Sequence, residues 1–320
     1  MATPLDEIND KSLFDGIEIG IGTWSWGDRL FWGYGQGYGI DDIRMVFNAA
    51  VSAGITFFDT AEAYGSGRSE SILGELIPTS SQKIVIGTKF MPFPWRLSHR
   101  SLHKALKNSL KRLNLAKVDL YQLHMAWPPL TIETWMEAMS QAFQDGLISA
   151  VGISNCDRGL MQRACDALSH TGIKLASNQV EYNLLNRKVE KNGLLKHCQE
   201  TGIKLIAYSP LAQGVLTGKY NPENLPTGIR RGRFSRKYLE QIQPLIRLLK
   251  QIGLARGGKT PAQVALNWVI KKGALPIPGA KTIQQLEENF GANGWSLTEE
   301  EVSLLDQASD RIIDNDKKRS

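Results

Sequence analysis

The chain has 320 residues, 42% of them apolar, which is enough to bury a large core and to build one α/β barrel. Its formal net charge of +6 rests on 38 Lys and Arg against 32 Asp and Glu, and the basic residues are scattered apart from one loop. That distribution argues against a nucleic-acid footprint and fits an anionic small ligand better. Cys156, Cys165 and Cys198 form no CxxC pair and are odd in number, so free thiols in a reducing compartment are expected rather than a disulfide framework. The start, Met1-Ala2-Thr3-Pro4 followed by Asp6 and Glu7, lacks the basic-then-apolar pattern of a secretory signal, and no 18-residue apolar run occurs. The expected location is therefore the cytoplasm, with no membrane partner.

In chain order, short β-branched runs alternate with longer stretches of helical period, the pattern of repeated βαβ units around a parallel sheet. Strands are expected at Ile17–Gly22, Thr56–Phe58, Ile84–Thr88, Val118–Leu123, Ala150–Ile153, Ala176–Gln179, Lys204–Ala207 and Leu275–Pro278. Helices are expected at Asp41–Ala53, Ser98–Leu113, Ile132–Phe143, Asp157–Leu168, Val189–Glu200, Pro261–Ile270 and Ile283–Phe290. Eight strands close most simply into a single (β/α)8 barrel spanning residues 1–320. The stretch Lys219–Lys237 has no clear period but holds Pro222, Pro226, Gly228 and Gly232, so a long mobile loop is expected there, carrying Arg230, Arg231, Arg233 and Arg236. The segment from Leu297 to Ser320 reads as helical to about Ile313 and then as a charged tail.

Barrel enzymes place their chemistry at the C-terminal ends of the strands. There the sequence puts Asp59, Lys89 and His124 after the second, third and fourth strands, with Tyr64 in the loop following Asp59. Taken singly, each has an ordinary structural explanation as a cap, a solvated charge or a satisfied core group. Together they fit carbonyl reduction, in which oxygen gains negative charge and needs a proton from a positioned acid. Tyr64 is the natural acid, and a nearby Lys89 ammonium is expected to draw its pKa down toward the working range. Asp59 would pair with Lys89, and His124 would hydrogen-bond the substrate oxygen.

The motifs Phe58-Asp59-Thr60-Ala61, Tyr64-Gly65, Ser69-Glu70 and Leu73-Gly74 resemble the signature of the aldo-keto reductases. The resemblance continues through Ile86-Gly87-Thr88-Lys89, Asp119 to His124, Gly152-Ile153-Ser154-Asn155, Gln179 to Asn183, Tyr208-Ser209-Pro210-Leu211 and Ile277 to Lys281, nearly the whole chain. It implies Asp59, Tyr64, Lys89 and His124 as the catalytic tetrad and NADPH or NADP+ as cofactor. No GxGxxG occurs, so a Rossmann turn does not hold the nucleotide.

By the same resemblance, Ser154, Asn155 and Gln179 hold the nicotinamide carboxamide and Tyr208 stacks on the ring. Gly22, Thr23, Trp24 and Asp59 then border it. Ser209, Pro210, Leu211, Gln213, Gly214, Lys219 and Arg233 line the pyrophosphate path, and Ile277, Gly279, Lys281, Gln285, Glu288 and Asn289 the adenosine end. Lys281 favours a 2′-phosphate, although Gln285 is neutral.

The substrate expected is a small-molecule carbonyl compound touching Trp24, Tyr64, His124 and Trp127. Trp26, Trp32, Tyr34, Phe90, Phe93 and Trp95 complete an aromatic mouth suited to flat compounds. Gly22-Thr23-Trp24-Ser25-Trp26-Gly27 is similar to the branch of the family found in plant plastids and cyanobacteria, which makes pyridoxal a candidate. Two other readings compete: a non-catalytic nucleotide sensor of the channel β-subunit type, and a metal-dependent hydrolase suggested by His99 and His103. These histidines sit in an outer helix without an HExxH, so no metal is expected. Cys156, beside Asn155, reads as a buried inert thiol.

Overall fold

The structure, a computed structural model, describes residues 13–317. The strands are β1 (Ile21–Gly22), β2 (Phe57–Asp59), β3 (Val85–Phe90), β4 (Val118–Leu123), β5 (Ile148–Ser154), β6 (Leu175–Glu181), β7 (Lys204–Tyr208) and β8 (Leu275–Pro276). They form one sheet in sequential order, every neighbouring pair parallel. The sheet returns on itself where the Gly20 and Gly22 amides donate to the Pro276 and Pro278 carbonyls at 3.0 and 3.1 Å, giving the α/β (β/α)8 barrel. This seam needs glycine: a Cβ on Gly22 would stand 2.8 Å from the Ile277 carbonyl oxygen.

The helices are α1 (Ile40–Ser52), α2 (Arg68–Leu76), α3 (His99–Leu113), α4 (Ile132–Gln144), α5 (Arg158–Ser169), α6 (Lys188–Lys191), α7 (Leu194–Thr201), α8 (Arg230–Arg233), α9 (Arg236–Ala255), α10 (Pro261–Lys271), α11 (Ile283–Phe290) and α12 (Glu299–Lys317). Apolar side chains fill two layers. Phe57, Leu120, Ile206, Leu275 and Ile277 pack inside the barrel, where Phe14 meets Phe57 edge-on at 5.6 Å near the end at which the strands begin. The outward strand faces pack on the helices, as with Phe47 on Phe58 and Phe90 on Trp135.

All eight strands fall where the sequence places them, the first and last shorter than expected because only their final or initial residues pair. The expected helix over Val189–Glu200 is two pieces, α6 and α7, broken by Gly193 at φ 75°. The stretch without helix after β7 ends earlier than Lys237: α8 makes one turn at Arg230–Arg233, and α9 starts at Arg236, capped by the Ser235 hydroxyl accepting from the Tyr238 amide. The C-terminal helix continues past Ile313 to Lys317.

Sequence periodicity also leaves out α2, whose nine residues follow directly on Gly65 and Gly67. Tertiary bonds hold it instead. The Ser69 hydroxyl donates to the Thr23 carbonyl at 2.9 Å and meets the Thr23 and Thr60 hydroxyls. The buried Glu70 carboxylate accepts from Thr88 at 2.6 Å and from Arg112 at 2.7 Å. Gly74 lets α2 lie against α3, since a Cβ there would come within 2.2 Å of the Arg112 carbonyl oxygen. These bonds pin the chain on both sides of Tyr64.

Candidate active site

Three strand ends converge on Lys89. It lies near the end of β3 and is wholly buried, a position a lysine holds only when its charge is compensated. Its ammonium donates to Asp59 Oδ2 at 2.5 Å, to the Thr60 carbonyl at 2.9 Å and to Tyr64 Oη at 3.2 Å. An ammonium has three N–H donors, so all three are used within the protein. Asp59 ends β2 and divides its oxygens: Oδ2 faces Lys89, and Oδ1 accepts from Gln122 Nε2 at 3.0 Å and Gln179 Nε2 at 2.8 Å.

Burial alone would lower the Lys89 pKa, but Asp59 and the bonds to Asp59 and Tyr64 outweigh it, so the group stays an ammonium. For Tyr64 burial acts first and raises the pKa; Lys89 pulls it down and Asp59 pushes it up. The balance lies above the ordinary phenol value, which corrects the expectation that Lys89 brings Tyr64 toward neutrality. The phenol therefore remains protonated at physiological pH. Because its oxygen already accepts from Lys89, its own proton points away from the lysine.

His124 follows β4, its ring edge-on to Tyr64 at 5.7 Å. Burial and then the Lys89 charge lower its pKa to about 3, so it is a neutral imidazole with one donor and one acceptor nitrogen. Its Nδ1 has no hydrogen-bond partner among the described residues. The four expected catalytic groups thus stand together at one rim.

The walls are aromatic. Trp24 stacks on Tyr64 at 6.1 Å and on Phe31 at 4.8 Å, and Trp32 meets Trp24 edge-on. Trp127 is exposed, and Trp95, stacked on Phe93, is more so. Two of the expected mouth residues are instead core: Trp26 is fully buried and donates its indole N–H to the Ala280 carbonyl at 2.9 Å, and Phe90 is buried against Trp135. Sequence reading passed over Phe31, which the neighbouring aromatics could have signalled, and a clamp on the loop carrying Tyr64. There Glu62 accepts from the Met91 amide at 2.8 Å and pairs with Arg96, which lies over Phe90 and Phe93.

The residues expected to hold a nucleotide run from this rim outward. The Asn155 amide group, in the left-handed region at φ 57°, donates to the His124 carbonyl and the Ser154 hydroxyl and accepts from Tyr208 Oη at 2.9 Å. Ser154 in turn donates to the Gln179 carbonyl at 2.8 Å. Gln179 spends its amide nitrogen on Asp59 and Gln122, leaving its oxygen as the group it can offer elsewhere. After β7, Ser209, Ala212, Gln213 and Gly214 all take positive φ, so the backbone from Ser209 through Pro210 and Leu211 to Gly214 folds into a tight concave turn, the kind of geometry that gathers amide N–H groups around an anion. Lys219 lies against Gly214, and Gln213 Oε1 is buried without a partner among the described residues.

Beyond it, Lys281 donates to the Trp32 carbonyl at 2.8 Å and lies over the Tyr38 and Trp32 rings. Burial, then repulsion from Arg230 and Lys219, lowers its pKa to about 8, with only Asp28 acting the other way. Arg230 covers Trp32 from the strap before α9. Gln285 accepts from the Lys281 amide and Asn289 donates to the Gly279 carbonyl, which sets the start of α11; Glu288 is half-buried on that helix. The Arg233 guanidinium pairs with Glu181 at 3.0 Å.

Cys156 is buried and its thiol pushed up to about 12 by burial and Asp157, so it is inert. His99 and His103 lie on α3 opposite Glu137 and Asp145.

A barrel whose rim joins a protonated phenol, a buried ammonium, a carboxylate and a neutral imidazole defines a barrel oxidoreductase acting on carbonyls. Comparison with known proteins agrees. The model of the Aldo/keto reductase family matches residues 18–310. Pyridoxal reductase, chloroplastic, of Arabidopsis thaliana is 40% identical over 304 residues, covering 91% of this chain and 82% of the relative. L-glyceraldehyde 3-phosphate reductase of Escherichia coli O157:H7 is 33% identical, covering 87% and 86%. An aldo/keto reductase from Klebsiella pneumoniae, solved in complex with NADP and acetate, superposes with a TM-score of 0.71 at 32% identity, covering 91% of this chain and 90% of that one. The chain belongs to the aldo/keto reductase family.

Breaking the buried pair from one side leaves an uncompensated charge. Lys89→Met is expected to lose about 3–5 kcal/mol of unfolding free energy. Lys89→Met combined with Asp59→Asn should recover much of it, because an Asn oxygen still accepts from Gln122 and Gln179. Urea unfolding followed by circular dichroism reads both; equal losses would show that the pair does not carry the cost.

Proposed function

We propose that this protein reduces an aldehyde or ketone to the alcohol with NADPH, with Tyr64 as proton donor and a flat aromatic aldehyde such as pyridoxal as its substrate. The observation that carries the reading is the saturation of Lys89, which leaves the Tyr64 proton free to face the aromatic mouth. The whole barrel acts as one unit, and three free thiols suit work in the cytosol.

NADPH, when bound, supplies the hydride. The protein's residues fit the cofactor: burial first, then the neighbouring Arg230 and Lys219, lower the Lys281 pKa, and a phosphate is the group that relieves both costs. Lys281 would take the 2′-phosphate, the turn at Ser209–Gly214 with Lys219 the pyrophosphate, and Asn155, Ser154 and Gln179 Oε1 the carboxamide. Tyr64 gives its proton to the carbonyl oxygen as charge builds there, and Lys89 stabilises the phenolate that remains until solvent returns a proton. His124, neutral at working pH, orients the carbonyl with its N–H and cannot compete for the proton. Trp24, stacked on Tyr64 and on Phe31, would offer a planar ring an aromatic face beside the proton donor.

In a turnover screen with NADPH against pyridoxal, methylglyoxal, nitrobenzaldehyde and a quinone, Tyr64→Phe should bind NADPH as the wild type does, by nucleotide fluorescence, yet lose at least ~100-fold in kcat. Full activity in the variant would refute the assignment.

Lys281 also sets a pH dependence. A dianionic phosphate raises its pKa from about 8, so below that pH the ammonium is already formed and affinity is level. Above it, binding must take up a proton, and NADPH affinity should fall by about tenfold per unit. Titrations from pH 7 to pH 10 should show this for NADPH, not for NADH, and not in Lys281→Met. A parallel fall for both nucleotides would contradict it.

A further inference from the structure

We propose that Gln122 is a positioning residue for proton transfer, holding Asp59 so that the Lys89 ammonium stays aimed at Tyr64; the inference rests on the reductase reading. On β4, Leu120, Gln122 and His124 alternate onto one face, toward the barrel interior, where Leu120 belongs to the apolar cluster. An amide is retained at such a wholly buried place only when it is bonded. Gln122 Nε2 donates to Asp59 Oδ1 at 3.0 Å, and Gln122 Oε1 accepts from Gln179 Nε2 at 3.3 Å, while that same nitrogen donates to Asp59 Oδ1 at 2.8 Å. The three side chains close a triangle.

With Oδ1 anchored by two amides, Asp59 presents only Oδ2 to Lys89 and cannot turn to receive a second ammonium N–H. The other two N–H groups are thereby left for Thr60 O and Tyr64 Oη. A separate observation shows that the barrel makes room for this amide. Gly152, opposite Gln122 in the β4–β5 register, would carry a Cβ 2.8 Å from Gln122 Cγ and 2.6 Å from Ser177 Oγ. Alanine there would displace the glutamine.

The test uses two variants. Gln122→Leu keeps the bulk and removes the bonds; its kcat should fall about 10-fold at every pH while the KM for the carbonyl compound stays within about twofold, the signature of lost positioning rather than lost binding. Gln122→Glu at pH 6 is a neutral acid whose O–H replaces the amide donor, and kcat should stay near wild type. As pH rises to 9 it ionises beside Asp59, and kcat should drop on a limb the wild type lacks. Wild-type kcat in both variants at every pH, whatever their stability, would overturn the inference alone. Absence of turnover in the wild type with any of the four carbonyl compounds would overturn the reductase reading and this inference with it.

Discussion

The site is built around one buried ammonium. Lys89 has no water to solvate it and spends its three donors on a carboxylate, a carbonyl and a phenol. That constraint fixes the orientation of Tyr64, adds its charge to the burial that keeps His124 neutral, and obliges β2, β4 and β6 to supply Asp59, Gln122 and Gln179 at the same height. A (β/α)8 barrel meets such a demand well, because inward residues of alternate strands share a layer and the loops after them open on one face.

The surroundings of Lys281 follow an opposite rule. Around Lys89 every charge has its partner, whereas Lys281 is half-buried with Arg230 and Lys219 repelling it and Asp28 acting the other way, and its pKa falls to about 8. A protein that concentrates uncompensated cations in a cleft lowers its own stability there and gains affinity for a polyanion. Trp32 lies under both Arg230 and Lys281.

Much of this was legible in the sequence, and the parts that were not share a cause. Strand order could be read because strands in a barrel are short apolar runs, and the grouping of Asp59, Tyr64, Lys89 and His124 because family motifs surround polar residues at the strand ends. α2 could not, since glycines surround it and its stability comes from Ser69, Glu70 and Gly74 meeting partners far along the chain. α8 and the start of α9 hid behind prolines and arginines that read as loop. Gln122 carried a signal, a polar residue on the inward face two before His124, but its meaning depends on Gln179, more than fifty residues away. The direction of the Tyr64 shift is hidden for a related reason: a lysine's pull can be inferred from a motif, while the burial that exceeds it belongs to the assembled mouth.

The central claim is that Tyr64 is a protonated phenol that accepts from an ammonium. Carbon-13 NMR of protein labelled at tyrosine Cζ, with the Tyr64 signal identified by its loss in Tyr64→Phe, reads that state directly. The account predicts a phenol shift for Tyr64 that does not move between pH 6 and pH 9. A titration to phenolate centred near neutral pH would contradict it.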